Sequence, residues 1–345
     1  MRAVWRTNAV SANSEPAPHR TITPMHDHEA APDPAHPHRS DDHAADDGRP
    51  RIGFIGAGRV GSVLGAAFAR AGWQVTAVAS RDPDRRTRFV SLVPGARAFV
   101  EPHGVLDEAD LIFLTVPDDA IAGTAAGLQL YSGQALVHTS GALPAAVLAP
   151  AMAAGTSAAS FHPLVAFADL EPALEALRGA TVALEGDESL LPVLAELAES
   201  VGARAVTLPE GGKPAYHAAA MMAAGGLVGL LDTIAQVAAL AGLDQQAAIA
   251  VYAPLAHQAI ANSERMGIDR ALTGPFLRGD VGTVRGHLGV LERSAPEALP
   301  LYVAVARREL AIARRRRELD DEAAGELERL LDAAGADAGR SIAAE

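Results

Sequence analysis

Residues 50–61 read PRIGFIGAGRVG. An apolar run enters Gly56, Gly58 and Gly61, spaced G-x-G-x-x-G, and SVLGAAFARAG over 62–72 then sets apolar residues at helical intervals. In such a turn the first glycine permits a tight bend. The second lets the backbone approach a pyrophosphate, and the third lets helix and strand pack closely. The helix that follows aims its unpaired N–H groups and positive dipole end at the phosphates. A buried strand before and a helix after supply the context this motif needs. The stretch therefore predicts a dinucleotide site in which Gly56, Gly58, Arg59, Val60 and Gly61 meet the cofactor. A glycine-rich turn that binds nothing is the plain alternative.

Outward from this turn the pattern is regular. QVTAVAS (74–80), RAFVE (97–101), ADLIFLTVP (109–117), QALVHTSGAL (134–143), SAASFHPL (157–164), GATVALEGD (179–187) and RAVTLP (204–209) read as further strands. ESLLPVLAELAESVG (188–202) is an amphipathic helix with Gly202 past its end. Strands alternating with helices predict an α/β fold with a doubly wound parallel sheet. From GGKPAYHAAA onward no strand is evident, and helical periodicity runs to about 333 with one break at LTGPFLRGDVG. The organisation expected is a tail over 1–48, a Rossmann dinucleotide-binding domain over 49–209, and an all-helical substrate and dimerisation domain over 210–345.

The chain has 345 residues, 49% of them hydrophobic, so a sizeable core is possible. A formal charge of −13 argues against a nucleic-acid partner. No cysteine is present, which removes disulfides and thiolate chemistry and fits a cytoplasmic setting. Residues 1–48 are rich in Pro, Asp, Ala and His and predict a disordered tail. Its histidines, His19, His26, His28, His36, His38 and His43, read as compositional bias before weak metal binding. No metal site is expected. Residues 218–243 are apolar enough to suggest a membrane span, but Asp232 and Gln236 favour a buried or subunit-interface helix. A homodimer through the helical domain, and no membrane, is the expectation.

An NAD-preferring site places Asp or Glu at the end of its second strand, about 20 residues past the glycines, to hold the ribose 2′-hydroxyl. Here Ser80 and Arg81 occupy that place. A hydroxyl and a guanidinium attract a 2′-phosphate, so the pair argues for NADP(H). Asp82 would reverse this if the strand ended two residues later. Ligands of open α/β sheets lie beyond the carboxyl ends of the strands. Val116 and Pro117 therefore border the nicotinamide, with Asp118 and Asp119 read as helix caps. His138, Thr139 and Ser140 after the fifth strand, and His162 after the sixth, face the same cleft; Ser140 is read as a cofactor contact, and the two histidines as substrate contacts or core residues.

The succession VPDDAI, HTSGAL, SFHPL, KPAYHAAA and GPFLRGDVGTVRGHL, behind the glycine motif, resembles a bacterial family that joins a Rossmann-like domain to a DUF2520 domain. That family is a branch of the 6-phosphogluconate dehydrogenase C-terminal-like superfamily. The resemblance spans roughly residues 50–310 and implies an NADP-dependent oxidoreductase similar to ketopantoate reductases, pyrroline-5-carboxylate reductases and F420-dependent NADP reductases. It also implies catalysis on the first helix of the second domain, commonly through Lys-x-x-x-Asn. This chain has Lys213 and His217 at that spacing, with His in place of Asn, and Gly225 or Gly226 where a further Asn often follows.

Residues i and i+4 share a helix face, so Lys213 and His217 can address one atom. Lys213 is the only lysine among 29 basic Lys and Arg residues. Arg cannot surrender a proton, whereas Lys shifts its pKa readily. Lys213 is thus the expected proton donor, with His217 orienting substrate. In the interruption, Arg278 can clamp a carboxylate, Asp280 lock Arg278, and Thr283 face the cleft; a structural helix corner is the alternative. The expected substrate is a small carboxylate-bearing carbonyl or imine compound, 2-dehydropantoate first. A noncatalytic NADP(H)-binding sensor is the competing reading.

Overall fold

The computed structural model describes residues 48–153 and 155–342. Apart from Gly48, the expected tail and its histidines lie outside the described residues.

All eight apolar runs become strands of one sheet: β1 (Ile52–Ile55), β2 (Val75–Ala79), β3 (Arg97–Phe99), β4 (Leu111–Leu114), β5 (Ala135–His138), β6 (Ser157–Pro163), β7 (Thr181–Gly186) and β8 (Arg204–Thr207). Their order is β3-β2-β1-β4-β5-β6-β7-β8. β1 to β6 are parallel, but β7 runs against β6 and carries β8 with it. The doubly wound parallel sheet expected from alternation is present, with one antiparallel pair, β6 and β7. Leu164 N–H donates to Thr181 O at 2.8 Å, so β7 begins where β6 ends. The helix between them has no need to cross the sheet.

Helices α1 (Arg59–Arg70), α2 (Pro83–Leu92), α3 (His103–Leu106), α4 (Asp118–Ala126), α5 (Leu170–Leu177) and α6 (Leu191–Ser200), with a 3₁₀ segment over Ala145–Ala151, accompany the sheet. Strand alternation divides the apolar side chains between two cores. Ile52, Phe54, Phe113, Val137 and Phe161 enter one; Ile55, Ala77, Ile112, Leu114 and Leu136 enter the other. The first is filled by aromatic rings, Phe54 and Phe113 stacking at 5.4 Å and Phe113 meeting Phe161 edge-on at 5.6 Å.

Beyond β8, α7 (Lys213–Met221), a π-helical turn (Met222–Gly226) and α8 (Leu227–Ala239) form one unbroken rod. α9 (Gln245–Met266), capped by the Asp244 carboxylate on Ala247 N–H, packs on α8. The expected interruption contains two short helices, α10 (Ile268–Ala271) and α11 (Pro275–Arg278), the latter bracketed by Gly274 and Gly279 at φ 99° and 71°. α11 joins α12 (Val281–Ser294), α13 (Leu299–Arg316) and α14 (Asp321–Ile342) around a third core that includes Leu288, Leu291, Leu310 and Leu327. The Arg run closes this unit by ion pairs, Arg314 to Glu328 and Arg315 to Asp269.

The rod behaves otherwise. Among the described residues it is the one helix long and apolar enough to cross a membrane, yet only 6% of its most apolar stretch is buried. Of the two forms expected there, a buried or a subunit-interface helix, the first is not what a single chain makes.

Candidate functional site

A cleft of about 1230 Å³ opens along the carboxyl ends of β1, β2 and β4. Gly56, Gly58, Arg59, Val60, Ser80, Arg81, Val116 and Pro117 all line it, as the sequence anticipates. Gly56 has φ 112°, and a Cβ there would lie 2.6 Å from Thr115 O. A Cβ on Gly61 would lie 2.3 Å from Gly56 O, so this glycine lies behind the turn and lets α1 close on it. At Gly58 a Cβ would meet nothing nearer than 4.0 Å, because that side is open to the cleft. α1 starts here with no side-chain cap, leaving its N–H groups for a ligand. The residues present thus fit a dinucleotide.

Asp82 does not occupy the ribose position. Its carboxylate caps α2, accepting from Asp84 N–H at 2.9 Å and Arg85 N–H at 3.1 Å, and it pairs with the Arg85 side chain at 3.1 Å. Arg81 is exposed and has no ion pair among the described residues. Arg85 was not anticipated, although its place in the first turn of α2, beside the end of β2, was readable. It lines the cleft with Arg59 and Arg81, a cluster of guanidinium groups suited to phosphate.

Further along, Leu114, His138, Ser160 and Glu185 stand side by side across β4 to β7. The row turns from apolar to polar toward the helical segment. His138 is 0% exposed. Its Nδ1 accepts from Ser140 N–H at 3.2 Å, and its Nε2 lies 3.2 Å from Pro144 O, where only an Nε2–H can donate. Burial, with Lys213 nearby, pushes its pKa down to about 4. Both nitrogens are spent on the 138–144 turn, so the expected substrate contact is corrected to a support for that turn.

Ser140 is likewise turned inward. Its hydroxyl donates to Asp118 at 2.7 Å and accepts from Ala142 and Leu143 N–H. It does not line the cleft, and the expected cofactor contact is corrected accordingly. Asp118, read as a cap, makes no capping bond and instead fixes Ser140. The Ser140 carbonyl accepts from Lys213 Nζ at 2.6 Å.

Lys213 is 1% exposed. Burial pushes its pKa down to about 8, against the opposing pull of Glu185 and Asp118. His217, one turn on, meets His162 with ring centroids 5.9 Å apart, and Tyr216 meets the same ring at 5.7 Å. Gly141 makes this possible: a Cβ there would lie 2.5 Å from His217 Cδ2 and 2.7 Å from His162 Nε2. Two histidines converge, as expected, but they are His162 and His217. His162 is held down to about 4 by burial, then by Lys213 and His217. Burial lifts the Tyr216 phenol to about 12. Among the described residues, the buried polar side-chain atoms with no hydrogen-bond partner are Ser160 Oγ, His162 Nδ1 and Tyr216 Oη. Ser160 and His162 share one face of β6, and Tyr216 packs on His162.

The other expected substrate residues are not brought here. Arg278 is exposed and paired with Asp280 at 2.7 Å, which bears out the lock but removes the clamp. Thr283 is exposed on α12, and none of the three bonds to the Lys213 cluster among the described residues. Sequence reasoning missed Glu185, buried on β7 with Oε2 accepting from Ala145 N–H at 3.3 Å. A lone acid inside TVALEG was its signal.

A family model described as a Rossmann-like domain matches residues 35–163, and one described as the domain of unknown function DUF2520 matches 180–309. No curated protein matches the chain. Among solved structures, protein TM1727 from Thermotoga maritima is 28% identical with a TM-score of 0.62, over 77% of this chain and 99% of that one. A protein described as an NADP oxidoreductase, from Bacteroides fragilis, is 19% identical with a TM-score of 0.57, over 79% and 99%. The pyrroline carboxylate reductase of Plasmodium falciparum, with NADP bound, is 11% identical with a TM-score of 0.53, over 83% and 98%. The last two likenesses are of fold.

Proposed function

For a chain that joins a Rossmann-like domain to a DUF2520 domain, we propose an NADP(H)-dependent oxidoreductase that reduces a small carbonyl or imine compound. One observation carries this reading: the only lysine is buried and bonded to the carbonyl of Ser140, next in the chain to Thr139 of the cleft wall, with its pKa near the working range. Similar folds are described as an NADP oxidoreductase and as an NADP-bound reductase. Bound NADPH supplies the hydride.

The chain supplies the rest. Gly56, Gly58 and the start of α1 receive the pyrophosphate, while Ser80, Arg81 and Arg85 receive the 2′-phosphate. Val116 and Pro117 border the nicotinamide. Ser140 O holds Lys213 Nζ in place, and Asp118 holds Ser140. Lys213 then gives a proton to the oxygen or nitrogen of the reduced bond, the role a donor with a pKa near 8 suits. His217 and His162 shape the substrate's seat around Gly141. The residue range 210–345 serves as substrate and dimerisation domain in this reading, in a cytoplasmic setting.

The apolar faces of the rod and α9 favour a second copy of this chain as their cover. Met222 and Val228 are exposed along a rod roughly 40 Å long, and Val251 and Leu255 on α9 beside it. A membrane crossing would carry Asp232 and Gln236 into the hydrocarbon, and the rod's first turn is docked to the sheet through Lys213. The test is oxidation of NADPH and, beside it, NADH against a panel including 2-dehydropantoate and pyrroline-5-carboxylate. The reading stands if NADPH binds and Lys213→Ala abolishes turnover without loosening it. A noncatalytic sensor would keep cofactor binding and show no turnover with any substrate.

A further inference from the structure

We infer that the site takes an imine, held as a cation once Lys213 has protonated its nitrogen, and disfavours a carboxylate beside the reacting carbon. The inference rests on the reductase reading above and names its substrate class.

The charges on the page carry it. Among the described residues, three charged side chains belong to this cluster: Lys213 from the rod, Asp118 at the start of α4, joined to it through Ser140, and Glu185 on β7 beside Ser160. Two are carboxylates. The one ammonium already donates to Ser140 O and is faced by both acids. An incoming carboxylate would join two others against a single cation, and like charges in a partly desolvated site repel strongly. No guanidinium offsets this among the described residues. Arg59, Arg81 and Arg85 belong to the glycine-turn end of the cleft, and Arg278 is exposed and bound to Asp280. Nor do the His138 and His162 imidazoles offset it, because burial keeps both uncharged at neutral pH.

The uncommitted groups agree. Ser160 Oγ, His162 Nδ1 and Tyr216 Oη are neutral and buried, and each can accept a hydrogen bond from an N–H. They suit an iminium nitrogen and give a carboxylate no charge to meet.

The reaction balances on these terms. Lys213 protonates the imine nitrogen. Hydride from NADPH then forms a C–H bond at the imine carbon, and the C=N π pair passes to nitrogen. The positive charge leaves the substrate for the oxidised nicotinamide, and the product is a neutral amine.

Binding tests this without turnover. Pyrrolidinium, proline and cyclopentanecarboxylate share a five-membered ring and carry positive, zwitterionic and negative charge. Each is titrated calorimetrically into the full chain saturated with NADPH. Pyrrolidinium should bind at least about tenfold more tightly than cyclopentanecarboxylate. Glu185→Gln should narrow that ratio, and the same variant should raise turnover of pyrroline-5-carboxylate relative to 1-pyrroline. Preference for cyclopentanecarboxylate, or binding of none of the three, overturns the inference while leaving the reductase reading intact. Failure of NADPH itself to bind overturns both.

Discussion

The sheet and the rod are built to different standards of completeness. The central strands of the sheet alternate their side chains into two filled cores, the first closed by Phe54, Phe68, Phe113 and Phe161. The rod and α9 have comparable apolar content, yet Met222, Val228, Val251 and Leu255 face outward. One region closes on itself and the other asks for a cover. Chemistry is placed where they meet: Lys213 opens the rod and is buried against the sheet. The glycine-turn cleft is thus formed within the sheet, whereas the Lys213 cluster is joined by an element with an exposed apolar face.

The sharpest test of that division removes the joining residue. Lys213→Ala should lower kcat about a thousandfold while NADPH affinity, a property of the sheet, stays unchanged by fluorescence titration. A matching fall in both would merge the two regions into one unit. In the wild type, kcat should decline above pH 8 as Lys213 loses the proton it donates.

Next is the rod's cover. Val228→Arg with Leu255→Arg should weaken self-association about a hundredfold by sedimentation, with the sheet's melting temperature unmoved. A wild type that sediments as a single chain would end the second-copy reading. On the sheet side, Arg81→Ala should weaken NADPH roughly 10- to 100-fold and leave NADH alone. Equal losses would mean the guanidinium does not read the 2′-phosphate.

The smallest effect concerns acid stability. His138 and His162 have folded pKa values near 4, below their ordinary 6.5. Between those values the unfolded chain binds protons that the folded chain refuses, so stability is full above pH 6.5 and falls as pH drops toward 4. His138→Ala should cost about 1–3 kcal/mol at pH 7 through its two lost backbone bonds, and flatten part of this acid slope in urea titrations.

Where sequence reading succeeded, the signal was local. Eight apolar runs, the three glycines and the i, i+4 pair Lys213 and His217 all announce themselves within a few residues. The failures are matters of tertiary direction. Nothing in GATVALEGD says that β7 runs backward, because the reversal depends on where β6 stops. HTSGAL does not say which way its histidine turns; the backbone of Ser140 and Pro144 decides that. Glu185 became visible only when β6 and β7 aligned it with Ser160. Arg278 and Asp280 read as a substrate clamp because pairing and exposure cannot be counted along a string.

The widened turn at Met222–Gly226 sets the angle between two faces of the rod. A π turn holds an extra residue, and one residue of an α-helix is worth about 100° of rotation. Lys213 and His217 lie before it, and Val228 lies after it. Winding MAAGG as ordinary α-helix with all five residues kept would swing the outward stripe by an appreciable part of a turn, while the docked first turn stayed still. The spacing of those five residues thus sets the compass bearing of the bare stripe relative to Lys213.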